Sequence, residues 1–202
     1  MQRVEHTRAF LLHQRAWGDS GRIFELFSRE HGRLSVFAQG VRGSNAKLAG
    51  VLQPFLPLLV SWAGRGDSPR LTGAEVQAAA APHGSLPQAH LMPAWYLNEL
   101  VMSLTARHDP QPELFDHYAV AIHELRTAPG LMRTLRLFEK RLLDVLGYGI
   151  TGLAEERFDS PEELERLRPQ LRQALAGCLE GRTLRTRAVA QSLKDFERAH
   201  RE

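Results

Sequence analysis

The 202-residue sequence sets three glycines, an arginine and a lysine close together in "GVRGSNAKLAG", Gly40 to Gly50. Those residue types suit phosphate chemistry: glycines let backbone N–H groups approach an anion closely, while Arg42 and Lys47 supply positive charge. A catalytic nucleotide loop needs G-x-x-x-x-G-K-[ST]. Counting from Gly40, Asn45 stands at the second glycine position and Ala46 at the lysine position, so that motif fails. The remaining chemistry is binding. A basic, glycine-rich loop follows a phosphate backbone without reading sequence, with Arg42 and Lys47 first, then Arg33 and Arg22, and with Gly40, Gly43 and Gly50 permitting close approach. Glycines that only turn the chain, and charges that only solvate it, are the plainer alternative. Phe37 falls on the polar side of its strand beside Ser35 and Gln39, where it either stacks on a base or packs against another element. Trp17, in "AWGDSG", has the same two uses.

Other catalytic constellations are missing. The sequence holds no G-x-S-x-G and no H-E-x-x-H. Its single cysteine, Cys178, allows neither an intrachain disulfide nor a multi-cysteine zinc site, and it lies in an apolar helical stretch that suits a buried thiol. The nine histidines are scattered; His117 and His123 do not share a helix face. Asp109, Glu113 and Asp116 are accounted for by a helix N-terminus, which favours carboxylates. These readings predict a protein that is not an enzyme and that carries no cofactor and no metal.

Charge points to the kind of partner. Arginine supplies 23 of the 26 basic residues, and the sequence pI is about 9.4. Residues 1–80 carry ten basic and six acidic side chains, residues 81–150 six and seven, and residues 151–202 ten of each. Between Glu30 and Asp67 there is no acidic residue, while Arg33, Arg42, Lys47 and Arg65 all fall there. A local basic field of this kind suits a polyanion. No apolar run reaches membrane-helix length, and "MQRVEHTRAF" lacks the apolar core of a signal peptide, so the expected location is the cytoplasm.

The elements that must hold these residues change character along the chain. Thr7–Gln14, Arg22–Ser28, Arg33–Gln39, Phe55–Trp62 and Arg70–Gln77 are short, rich in branched and aromatic residues, and separated by Gly, Asp, Ser or Asn clusters. Leu34, Val36 and Ala38 alternate with Ser35, Phe37 and Gln39, the period of a half-buried strand. Five such strands predict a small closed barrel of OB type, because closure removes exposed edges. After "QAAAAPHGSLP" the period becomes helical, as in Leu97, Leu100, Val101 and Leu104 and in Leu131, Leu135, Phe138, Leu142 and Val145. Pro93 marks a helix start or kink. Ser160, Pro161 and Glu163 read as a capping box, and Pro169 divides that helical region or starts another helix. The predicted class is α+β, with a barrel domain over residues 1–80 and a helical domain over 81–202.

A second candidate site lies on the helix over 131–146. Arg133, Arg136 and Lys140 recur at helical spacing beside the apolar stripe, and Arg182, Arg185 and Arg187 add charge from the C-terminal element. A basic stripe against exposed apolar surface suits an acidic partner. A solvated face with local pairs such as Lys140–Asp144 is the alternative.

Several strings together resemble one family. "LLHQRAWGDSGRIFELFSREHGRLSVFAQGVRGSNAKLAGVLQPFLPLLVSWAGRG", then "YLNEL", "ELFDHY", "LRLFEKRLLDVLGYG" and "LEGRTLRTR", in that order, are similar to RecO, the bacterial recombination mediators. The resemblance implies an OB-fold followed by a helical domain and a function without catalytic turnover. It implies binding of single- and double-stranded DNA, annealing of complementary strands, and contact with the acidic tail of single-stranded-DNA-binding protein. It further implies work with RecR in loading RecA, at the nucleoid. Arg136, within "LRLFE", matches a family position implicated in receiving the acidic tail. The interval from Gly149 to Leu184 is shorter than in many relatives, holds one cysteine where some have four, and is followed by Thr186 where serine is usual, so zinc is not expected. A protein-interaction adaptor with no direct DNA role is the alternative from another class.

Overall fold

The computed structural model describes residues 2–39, 50–77, 86–127 and 130–189. Strands come first: β1 (Gln2–Trp17), β2 (Gly21–Ser28), β3 (Gly32–Ala38), β4 (Leu58–Gly64) and β5 (Arg70–Val76). Helices follow: α1 (Leu91–Leu104), α2 (Pro112–Thr127), α3 (Leu131–Val145) and α4 (Pro161–Leu179), with 3-10 turns at Gln88–His90 and Glu155–Asp159. The α+β class and the change from strands to helices follow the predicted order. The chain forms two compact units, residues 1–84 with 105–119, and residues 85–104 with 120–202.

In the first unit the sheet closes in the order β1-β2-β3-β5-β4. Its pairs are antiparallel, apart from β3 and β5, which meet in parallel at Phe37 and Arg70. Leu11, Phe24, Leu26, Leu34, Val36, Leu58, Val60 and Trp62 fill the interior. β1 is longer than its apolar alternation predicts, because it pairs with β2 from Ala9 to Trp17 and with β4 from Gln2 to Ala9. Irregularities between Leu11 and His13 and between Val4 and Thr7 accommodate both registers. Its first residues are recruited by the backbone donors and acceptors of β4, not by side-chain burial.

Leu34, Val36 and Ala38 point inward as the alternation predicts, but Ser35 is also buried. The reason is Glu25 on the neighbouring strand. Its carboxylate accepts from Ser35 Oγ at 2.8 Å, from Arg107 at 2.8 Å and from Arg33 at 3.0 Å. Gly32 turns with φ of 67°, and a Cβ there would fall against the Asp109 backbone. On the outer face, Phe10 and Phe27 pack against Phe115 and Tyr118 of α2, with ring centroids 5.0 to 6.1 Å apart. Arg29 holds Asp116 through two bonds of 2.9 Å, which keeps that carboxyl below its ordinary pKa.

The second unit buries Leu97, Leu100 and Val101 of α1, Ile122 and Leu125 of α2, and Leu135, Phe138 and Leu142 of α3. Leu167, Leu171, Leu175 and Leu179 bury one face of α4. Pro169 lies inside α4 and does not divide it. An interior proline costs about 3 kcal/mol, whereas each buried leucine contributes about 1.5–3 kcal/mol; the leucine face keeps the helix continuous. Pro93 sits in the first turn of α1. Ser160 caps α4 by accepting from the Glu163 N–H at 3.4 Å. The return half of the predicted box is replaced: the Glu163 carboxylate takes Arg157 and Arg166 instead. Among the described residues, no helix is long and apolar enough to cross a membrane.

Candidate functional site

On the barrel's outer face the two aromatics singled out above come together. Trp17 and Phe37 meet edge to face, ring centroids 5.1 Å apart at 72°. Gly21 makes room for them: a Cβ there would lie 2.6 Å from the Trp17 carbonyl and 2.8 Å from Phe37 Cε2. Trp17 is 57% exposed and Phe37 half-buried, so the pair forms a supported aromatic surface open to solvent. The strand register brings Arg15, Ile23, Phe37 and Arg70 into one row across β1, β2, β3 and β5. Arg15 and Arg70 are exposed, as is Asp19 in the β1–β2 turn. Arg22 is exposed and donates to Gln14 at 3.0 Å. Arg33 is different: beyond Glu25, it donates to the Thr105 carbonyl at 2.9 Å, and its side chain is only 15% exposed. Arg42, Lys47, Gly40 and Gly43 lie outside the described residues.

The helical unit contains an apolar groove of about 850 Å³. Met92, Leu131, Met132, Leu135, Leu179 and Leu184 line it, with Arg136, Arg168, Arg172, Arg182 and Arg187 along the same walls. α1, α3, α4 and the residues after α4 all contribute. The element after α4 is fixed by Glu99, whose carboxylate accepts from the backbone N–H groups of Arg185 and Thr186 and from the Thr186 hydroxyl. Thr186 thereby has a definite role where the resemblance expects serine. Arg182 donates to the carbonyls of Leu179 and Ser103 at 3.1 and 2.8 Å.

The predicted basic stripe on α3 is divided by these contacts. Arg133 pairs with Asp159 at 2.7 Å, and Lys140 with Asp144 at 2.6 Å. Arg136 is the member that lines the groove, held by the fully buried Glu139. Glu139 also accepts from the Tyr96 hydroxyl at 2.6 Å, and Arg187 donates to that hydroxyl at 3.0 Å. Arg136, Arg182 and Arg187 therefore meet at one site, whereas Arg133, Lys140 and Arg185 are not among its lining residues.

Comparison with known proteins matches both halves. A family model described as Recombination protein O N terminal fits residues 1–79, and one described as Recombination protein O C terminal fits residues 90–195. The chain belongs to the RecO family. The DNA repair protein RecO of Methylococcus capsulatus is 42% identical over 168 residues, which is 83% of this chain and 66% of that protein. DNA repair protein RecO of Haemophilus influenzae is 40% identical over 149 residues, 74% of this chain and 62% of that protein. That of Nitrosococcus oceani is 43% identical over 148 residues, covering 73% and 59%. The chain thus spans about three-fifths to two-thirds of the length of these RecO relatives.

The interval from Gly149 to Leu184 is occupied by the 3-10 turn and α4. Among the described residues no group of three or more His, Cys, Asp or Glu could hold a metal ion. Cys178 is half-buried and burial raises its pKa, which disfavours the reactive thiolate. Sequence reasoning missed Arg168, Arg172 and Tyr96. Arg168 and Arg172 are four apart on α4, a spacing that marks one helix face, but the assumed break at Pro169 hid it.

Proposed function

We propose that this chain is a non-catalytic recombination mediator in DNA repair. The observation that carries the reading is the apolar groove with five arginines on its walls. Its chemistry suits a short acidic peptide with apolar terminal residues, the character of the tail of single-stranded-DNA-binding protein. Arg136, Arg182 and Arg187 receive that tail, aided by Arg168 and Arg172; Arg185 adds to the surrounding field, whereas Arg133 and Lys140 are neutralised by Asp159 and Asp144.

Residues 1–80 act as the DNA-binding domain and residues 81–202 as the partner-binding domain. Single- and double-stranded DNA is held through phosphates by Arg42, Lys47 and Arg22, with Gly40 and Gly43 allowing close approach. Phe37 and Trp17 offer a stacking surface to bases, and Arg33, bonded to Glu25, supports the strand that carries Phe37. Binding two strands at once favours their annealing. Joined to RecR, the protein promotes RecA loading on coated single strands at the nucleoid, with no cofactor.

The test is annealing of complementary single strands coated with single-stranded-DNA-binding protein, with and without its acidic tail. Tail-dependent acceleration is expected. No acceleration, together with no DNA affinity at low salt, would sink the reading in favour of a protein adaptor.

A further inference from the structure

Glu139 sits in the middle of α3 with no exposed surface, an expensive place for a carboxylate unless donors meet it. Arg136 approaches both its oxygens, and Tyr96 donates at 2.6 Å. A tyrosine hydroxyl has one proton. Giving it to Glu139 leaves the Tyr96 oxygen able only to accept, and Arg187 Nη2 donates to it at 3.0 Å. The Arg187 guanidinium carbon also lies 5.5 Å from the Tyr96 ring centroid. Burial, then the Glu139 charge, pushes the Tyr96 pKa up, so the hydroxyl keeps its proton at neutral pH.

The relay therefore has a direction: Arg187 to Tyr96 to Glu139, with Arg136 closing on the same carboxylate. Both arginines line the groove; Arg136 pairs with the Glu139 carboxylate directly and Arg187 reaches it only through the Tyr96 hydroxyl, so two guanidinium charges stand against one carboxylate and leave the wall net positive. Arg136 Nε is buried and has no hydrogen-bond partner among the described residues. The arrangement holds planar cationic forks in place before any ligand arrives, the geometry that favours a carboxylate.

We propose that Tyr96 and Glu139 are positioning residues, which set Arg187 and Arg136 to take the terminal carboxylate of an acidic peptide in the groove. This rests on the peptide reading given above, and the test separates the two. A fluorescent acidic peptide ending in two apolar residues is titrated into the full chain, once with a free C-terminal carboxylate and once as the amide. The wild type is expected to prefer the carboxylate by about tenfold, the scale of a charge-assisted hydrogen bond. Tyr96→Phe, which removes one oxygen, is expected to reduce that preference to about twofold while the amide form binds nearly as before. Glu139→Gln loosens Arg136 but also removes the negative charge beside it, so Tyr96→Phe, which leaves the net charge unchanged, is the deciding variant, with its folding checked by circular dichroism. An unchanged preference, or equal weakening of both peptides, overturns the positioning role and leaves the groove reading intact. A wild type that binds neither peptide overturns both.

Discussion

Two buried carboxylates, Glu25 in the barrel unit and Glu139 in the helical unit, solve the same electrostatic problem with different donors. Glu25 takes Arg33, Arg107 and Ser35, and Arg33 closes its other end on the Thr105 carbonyl. That cluster joins Thr105–His108 to the strands, and its members serve the fold. Glu139 takes Arg136 and Tyr96, and the chain continues to Arg187, so its outer members line a groove. A buried ion pair is weak evidence for stability by itself. What separates the two is whether the last donor ends on backbone inside the unit or at a cavity wall.

Breaking the closed cluster should have the largest effect. Glu25→Ala strands the little-exposed Arg33, and a loss of about 3 kcal/mol is expected in urea unfolding, with peptide affinity unchanged. A loss under about 1 kcal/mol would put the cluster among ordinary exposed pairs. Next comes a surface where arginines flank aromatics without a buried carboxylate. Phe37→Ala should weaken single-stranded DNA about tenfold, the worth of one stacked base; an unchanged isotherm removes the Trp17–Phe37 pair from the interface. Arg187→Ala opens the second cluster at its outer end. About fivefold weaker peptide binding with an unaltered melting temperature is expected, in line with one charge-assisted contact, and a destabilised fold would erase the contrast with Glu25.

The smallest effect belongs to Arg29 and Asp116, a bidentate pair near solvent. Hydrogen bonding to Arg29 lowers the Asp116 pKa in the folded state. Its contribution is therefore present above the ordinary carboxylate pKa and lost as pH falls through the depressed value. The urea midpoint of the wild type should exceed that of Asp116→Asn by a small, constant margin near neutrality, and the margin should close in acid. A margin that grows in acid contradicts the sign.

Much of the barrel was legible because its interior residues alternate with period two, as in Leu34, Val36 and Ala38. Ser35 was not, since what buries it is a carboxylate on another strand and an arginine far along the chain. The helical unit was legible where leucines recur, yet Pro169 misled: local propensity argued for a break, and burial of Leu167 through Leu179 decided otherwise. That error also concealed the Arg168–Arg172 face of the groove. Trp17 and Phe37 could each be flagged as stacking candidates, but their contact across Gly21 depends on strand register. Tyr96 and Glu139 carried no signal, because a relay linking three elements has no spacing in sequence.

β1 pairs β2 through its second half and β4 through its first, with Ala9 opposite both Ser28 and Leu58. The β1–β2–β3 meander is local and can form early, whereas closure waits for a strand that lies beyond the whole β3–β4 connection. Until then the first half of β1 is an open edge with unpaired donors and acceptors, the template on which chains cross-pair. The same strand that seals the barrel thus makes its pairing of greatest sequence separation, and until that pairing forms its first half is an edge open to misassembly.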